Sequence, residues 1–576
     1  MIHVSREILW ISPIVDVFFF SAVALLLVLS NRAIPSLPGE RILLFLLGFL
    51  TIYDWSSVTA RLDRRACLIL ALGVAYAFTR RFSDRPHPMR FWRRSARLML
   101  VLLAIVFVAI QAGQRMYERN ALSSLPQAAG GSPNVLVVVI DTLREDHVSY
   151  AGYSRPTTPN LDALARQGVT FTNAIAPCSW SLPSHVSLIT GTYLYEHGVG
   201  NVQPEPWLGW GSKGLGGFAT LAEALQKKGY RTGAFSANRT YFSRDLGFGR
   251  GFIHFEDYFH SWSDRFVRTL YGREFARVYL IRSEKSLVKR ALRKVGAISL
   301  LDQDAEGSGS YGGAFGIRKR ANVVNDEVLH WIDQDAQRPF FAFLNYFDVH
   351  DPYGGPKDYP KPAWQQTTDI DRYDDGVRYV DDYFGRLIHE LEQRGLTKNT
   401  LVIVTSDHGE SLGQHDLQTH GRALYRELIH VPLLVWYPGH APAGVRIEQP
   451  VSNASIPATV MGVVGGSSIF PGASLSQLWS TSTSTWPDPI SELAQNRYAG
   501  RKDEAADKLF PTATSGAMAS LVTSRWHWIE HEKAGAQIYD WTRDPLESND
   551  LIQTPAGAVA AQELRNQLAK QKEDRR

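Results

Sequence analysis

Four polar residues stand just beyond apolar, β-branched runs. Asp141 closes "NVLVVVID", Asp407 and His408 close "NTLVIVTSDH", and His350 follows the run "FFAFLNY". Carboxylates and imidazoles bind hard or borderline divalent cations, and imidazoles also move protons near neutral pH. In open parallel sheets the carboxyl ends of the strands share one edge, and ligands bind there. Three separate runs thus deliver two carboxylates and two imidazoles to one rim. Taken singly, Asp141 reads as a helix cap and His408 as a hydrogen-bonded core residue; their joint placement argues for a site. Oxygen-rich ligation with one imidazole suits one Ca, Mg, Mn or Zn ion.

A nucleophile is available nearby in sequence. In "SLPSHVSLIT" Ser181 stands just before a Pro-initiated helix, with Pro183 in its first turn. Helix N-termini present unpaired amides and a positive dipole end, which suit a sulfate or phosphate group. A serine there, coordinated to a metal, can lose its proton near neutral pH and attack an ester of a tetrahedral oxyanion. Cys178 lies three residues earlier without a proline two positions on, and reads as a packing residue. Cys67 sits inside an apolar run, so neither a disulfide nor a cysteine metal cluster is expected.

The elements that must carry these residues alternate. Strand-like runs at 134–142, 338–353, 399–410 and 430–439 are separated by helical patterns such as "TPNLDALARQG" and "RYVDDYFGRLIHELEQRG". Near-continuous apolar strands alternating with helices predict an α/β domain on a mostly parallel sheet. The stretch 521–551 reads as a hairpin and turn of a small C-terminal sheet subdomain. Upstream, four apolar runs (17–29, 42–53, 67–78 and 98–110) predict a membrane bundle of about four helices. Seven arginines in 80–97 put that loop in the cytoplasm and everything after about Gln111 outside. Residues 1–120 hold 15 Lys/Arg against 7 Asp/Glu, so the net charge of +4 comes from this end. That asymmetry points to membrane topology and away from nucleic acid. A basic segment, 261–294, has ten Lys/Arg and three acids; it reads equally as a solvated helix face and as a contact for anionic lipid headgroups.

Residues 134–199, from "NVLVVVIDTLREDH" to "TGTYLYEHGV", resemble the opening of the sulfatase family in the alkaline phosphatase superfamily. "VDDYFGRLIHELEQRGLTKNTLVIVTSDHGESLGQHDLQTHG" with "LYRELIHVPLLVWYPG" resembles its metal-binding second half, and "YDWTRDPLESNDL" its C-terminal signature. The resemblance covers about residues 134–551. It implies an alkaline-phosphatase-like mostly parallel sheet sandwiched by helices, with a small C-terminal sheet. It implies Asp141, Asp407, His408 and Ser181 as ligands of one divalent metal, with Ser181 the nucleophile. His350 and His420 then stand beside the leaving group as general acids, and Asn238 contacts substrate. Thr142 replaces a second aspartate, Asp407–His408 replaces Asp–Asn, and Ser181-Leu182-Pro183-Ser184-His185 replaces C/S-x-P-S-R. His185 therefore joins the catalytic candidates, and Thr142 and Ser184 the substrate-binding ones. In the family the first residue of that signature becomes formylglycine; here the form of Ser181 is open.

The expected organisation is a transmembrane region (1–115), a linker (116–133), a catalytic domain (134–470, with a basic insertion at about 261–322) and a C-terminal subdomain with tail (471–576). The expected activity is metal-dependent hydrolysis of sulfate esters, lipid- or glycan-linked ones included, by an integral membrane protein. Its catalytic domain would face the periplasm or exterior. Phosphodiester or phosphonate-ester hydrolysis, or phospho-group transfer through unmodified Ser181, is the alternative; a non-catalytic envelope protein on this fold is the third reading.

Overall fold

The structure, a computed structural model, describes residues 39–58, 64–82, 89–200, 217–257, 319–480, 486–495 and 512–575, short gaps aside, with isolated positions between 14 and 29. The first apolar run lies largely outside the described residues, and the basic segment 261–294 wholly so. The chain divides into two compact units, and the boundary falls near Asn120.

In the N-terminal unit the remaining apolar runs form helices α1 (Gly39–Val58), α2 (Arg64–Phe82) and α3 (Met89–Ser123). Cys67, Ala71 and Ala75 repeat every fourth residue and are fully buried, making one small-residue face of α2. Gly48 of α1 packs against this face: a Cβ there would meet the Ala75 main chain at 3.4 Å, an ordinary van der Waals contact. Among the described residues, one stretch is long and apolar enough to cross a membrane: Leu100–Ser123 of α3, 24 residues. Helix α3 runs past the expected domain limit at 115, because no helix breaker intervenes before Ser123.

The second unit is built on an eight-stranded sheet. Its strands are β1 (Asn134–Ile140), β2 (Val169–Phe171), β3 (Arg231–Ser236), β4 (His254–Glu256), β5 (Phe340–Tyr346), β6 (Thr400–Thr405), β7 (Leu433–Trp436) and β8 (Val445–Ile447). Their order is β8-β2-β7-β6-β1-β5-β3-β4, and only β7 runs against the rest. The continuous apolar run of β1 follows from burial on both faces. Val135, Val137 and Val139 enter one core, Leu136, Val138 and Ile140 the other, and none exceeds 1% exposure. Each such side chain stabilises the sheet by roughly 1.5–3 kcal/mol.

Helices α4 (Pro159–Ala165), α6 (Ala321–Asp333) and α7 (Asp369–Gln393) cover the second core, and α5 (Ser181–Thr190) covers the first. Helix α7 begins in a capping box. The Asp371 amide donates to Thr368 Oγ1 at 3.1 Å, and the Thr368 amide donates to Asp371 Oδ2 at 2.8 Å. Its Tyr373, Val377, Val380, Phe384, Leu387 and Leu391 form the buried stripe. The C-terminal antiparallel sheet, β9 (Ile490–Leu493), β10 (Met518–Val522), β11 (Trp526–His531) and β12 (Gly535–Asp540), precedes α8 (Pro555–Asp574). Its edge strand β9 reaches the segment leading into α5: Ser491 Oγ donates to the Ala176 carbonyl at 2.6 Å and the Glu492 amide to that of Pro177 at 2.9 Å.

Candidate active site

Parallel register sets the site. Val139 of β1 pairs with Asn345 of β5 and Thr405 of β6, and Asn345 pairs with Ser236 of β3. Residues just past the ends of β1, β3 and β6, Asp141, Asn238, Asp407 and His408, therefore emerge side by side at one edge. Helix α5 sets Ser181 beside them. Ser181 is the first helical residue rather than the residue before the helix, with Trp180 in extended conformation ahead of it.

Asp141, Asp407 and His408 each offer a ligand atom, all within 4.8 Å of one another and all fully buried. Ser181 Oγ lies 3.1 Å from His408 Nε2. His408 Nδ1 donates to the Gly409 carbonyl at 2.8 Å, which leaves Nε2 unprotonated toward the cluster, as a metal ligand requires. Asp407 Oδ1 accepts the amides of Thr142 and His408 at 3.2 and 3.0 Å. Asp141 Oδ2 accepts Asn238 Nδ2 at 2.8 Å. The remaining oxygens, Asp141 Oδ1 and Asp407 Oδ2, are buried with no hydrogen-bond partner. Burial, and for Asp141 the adjacent Asp407 charge, push both carboxyls up to about 7. Two orphaned carboxylate oxygens beside an imidazole lone pair and a hydroxyl fit a divalent cation.

Three further sequence candidates make defined contacts around the cluster. His185, four residues along α5 from Ser181, donates from Nδ1 to the Ser181 carbonyl at 2.8 Å and accepts Asn345 Nδ2 at Nε2 at 3.3 Å. Its ring stacks on Phe242 at 4.8 Å, and burial pushes its pKa down to about 3. Both nitrogens are thus engaged, and burial favours the neutral ring. Ser184 gives its hydroxyl to the Asp407 carbonyl at 2.5 Å, which ties α5 to the loop that carries Asp407. Thr142 gives its hydroxyl to the Asp141 carbonyl at 2.7 Å and offers the loop only its amide. It also occupies the left-handed region at φ 63°, a strained conformation for a β-branched residue.

The two general-acid candidates stand together. The ring centroid of His420 is 5.0 Å from that of His350 and 4.4 Å from that of His408. His350 donates from Nδ1 to the Asp351 carbonyl at 2.6 Å and stacks on Phe347. His420 Nδ1 shares a hydrogen bond with Glu410 at 3.1 Å. Burial pushes His420 down to about 4 and Glu410 up to about 8, so this contact is a neutral pair rather than an ion pair. Sequence reasoning missed Asn345 and Glu410. Asn345 is the one amide in the otherwise apolar "FFAFLNY", and that was its available signal.

Comparison with known proteins places the chain in a family. An arylsulfatase from Clostridium perfringens is 23% identical, covering 77% of this chain and 95% of its own. A choline-sulfatase from Rhizobium meliloti is 21% identical over 74% of this chain and 84% of its own. The crystal structure of a phosphonate monoester hydrolase from Agrobacterium radiobacter superposes with a TM-score of 0.56 at 21% identity, over 77% of this chain and 96% of that one, and shares the fold. The sulfatase family model matches residues 133–466, from β1 through the last strand of the large sheet and beyond. The strand ends, helix α5 and the carboxylate–imidazole cluster all fall inside that span, and the chain belongs to the sulfatase family of the alkaline phosphatase-like superfamily.

Proposed function

We propose that this chain hydrolyses esters of sulfuric acid with the side-chain oxygen of residue 181 as nucleophile. The observation that carries the reading is the buried convergence of Asp141, Asp407, His408 and Ser181 around two carboxylate oxygens that have no donor. A divalent cation held by Asp141, Asp407 and His408 beside Ser181 supplies positive charge for an oxyanion and eases deprotonation of a hydroxyl. The chain's own groups do the rest. Asn238 fixes Asp141, His185 fixes the first turn of α5, and the amides of that turn favour a bound oxyanion. Ser181, having released its proton to solvent, forms a bond to sulfur while the ester S–O bond breaks. The leaving oxygen takes its proton from His420, which the protonated Glu410 resupplies at Nδ1, with His350 beside it. In the serine form, water deprotonated by the same groups then releases sulfate and restores Ser181; in the hydrated formylglycine form, the second hydroxyl of residue 181 loses its proton and expels sulfate, restoring the aldehyde.

A second reading, phosphoryl chemistry through unmodified Ser181, is favoured by the surroundings of His185. Where the family's modification signature has arginine, this ring is neutral and packed among Phe242, Phe248 and Phe343. The mass of the Ser181 peptide from protein made in its native host, with rates on 4-nitrophenyl sulfate and 4-nitrophenyl phosphate, separates the two. A peptide two hydrogens lighter than the serine form and preferred turnover of the sulfate support sulfuric esters. Unmodified serine with preferred turnover of the phosphate supports the second reading.

The proposed setting is a membrane, with the catalytic unit on the outer side and a lipid- or glycan-linked ester as substrate. The apolar stretch Leu100–Ser123 and the arginine-rich loop before it support that reading.

A further inference from the structure

His420 sits at the end of a strained hairpin. Ser411–Leu412 pairs with Gln418–Thr419, and between and beside them His415 (φ 53°), Asp416 (φ 55°) and Thr419 (φ 65°) all occupy the left-handed region. None is glycine, and Thr419 directly precedes His420. Such backbone persists only where the surroundings over-determine it. Two ladder pairs are too few to do that, so the restraint must come from elsewhere.

It comes through His415. Its Nδ1 donates to Glu427 Oε1 at 2.8 Å and its Nε2 to the Glu547 carbonyl at 3.1 Å, while the ring lies flat on Tyr425 at 3.7 Å and 4°. Both partners are acceptors, so the ring donates from both nitrogens and is held as the cation. Burial opposes that charge; Glu427 and Glu547 outweigh it and hold His415 above its ordinary pKa. Glu547 is itself pinned: its carboxylate accepts the Arg426 amide at 2.9 Å and pairs with His527 of β11 at 2.5 Å. Asp416 is the neighbouring charge on the hairpin itself. Glu427 closes a path back to the site. Its carbonyl accepts the Glu410 amide at 3.1 Å, and the Glu410 carboxyl holds His420 Nδ1.

We propose that His415, clamped between Glu427 and the C-terminal segment at Glu547, is the positioning residue that sets His420 at the leaving-group side of the site. This rests on the proton-donor role proposed for His420. The C-terminal sheet thereby contributes to catalysis through a hairpin it never enters.

The test uses the full chain with 4-nitrophenyl sulfate, a good leaving group, and hexyl sulfate, a poor one. His415→Phe keeps a flat ring on Tyr425 without either hydrogen bond; His415→Gln is the second variant should the first not fold. Either is expected to lower kcat on hexyl sulfate by at least about tenfold and on the nitrophenyl ester by less than about threefold, with KM unchanged. His420→Ala is expected to show the same selectivity, and His415→Phe/His420→Ala to be no slower than His420→Ala alone. If His420→Ala is selective but the His415 variants slow both esters equally, or the double variant is additive, the positioning role is overturned alone. If His420→Ala is itself indifferent to the leaving group, the proton-donor role falls and takes this inference with it.

Discussion

Asp141 Oδ1 and Asp407 Oδ2 lack any donor although fully buried, and that single fact makes the cation testable without turnover. Both carboxyls have native pKa values raised from 3.8 to about 7. The sign follows: their contribution to stability is complete below the unfolded value and is lost as pH rises through the folded one. Chelator-treated protein should therefore lose thermal stability between pH 4 and 7 in step with these ionisations. Added divalent cation should restore it, with a Tm increment that grows with pH. An increment independent of pH would place the cation elsewhere. Asn238→Ala removes the donor that orients Asp141 and should weaken cation binding by about 10–100-fold in a titration monitored by Tm or calorimetry. Much of this was legible in the sequence, since Asp141, Asp407 and His408 each end an apolar run. His185 was legible only as the residue at the signature's arginine position, and its packing was not. Its aromatic neighbours Phe242, Phe248 and Phe343 come from distant segments that no local pattern announces. Glu410 was invisible for a related reason: an acid after a strand reads as solvated, and only the fold buries it.

At the scale of elements, the end of β6 is held by close backbone approach. The Gly409 amide donates to the Leu428 carbonyl at 2.8 Å and the Glu410 amide to that of Glu427 at 3.1 Å. A Cβ on Gly409 would overlap the Glu427 carbonyl oxygen and touch Arg144. Gly409→Ala should therefore shift the loop that carries His408 and Glu410. The expected result is a loss in kcat/KM of at least about tenfold with weakened cation affinity, because ångström-scale misplacement is sufficient for such losses. Wild-type kinetics in this variant would show that the loop tolerates displacement. Strands β1, β5 and β6 and helix α7 were readable because run length and periodicity encode two-sided burial and a single apolar stripe. The hairpin at 411–419 was not, because beyond Gly413 its left-handed residues are His415, Asp416 and Thr419, and the Glu427 and Glu547 contacts of His415 come from distant segments.

For the whole molecule, the N-terminal unit and the catalytic unit make separable claims. Helix α3 exposes Leu100, Val101, Ile105 and Val108, an apolar surface that suits lipid. The full chain is expected to stay with membranes through alkaline carbonate extraction; release into the soluble fraction would contradict the anchoring proposal. The catalytic unit stands or falls on its cluster. The most direct measurement is hydrolysis of 4-nitrophenyl sulfate, and of the phosphate, by purified full-length protein, wild type against Ser181→Ala and Asp407→Ala, with and without chelator. Each substitution is expected to lower kcat/KM by at least about a thousandfold while the fold survives, and chelation to silence the wild type reversibly. Comparable turnover by wild type and both variants would contradict the site itself.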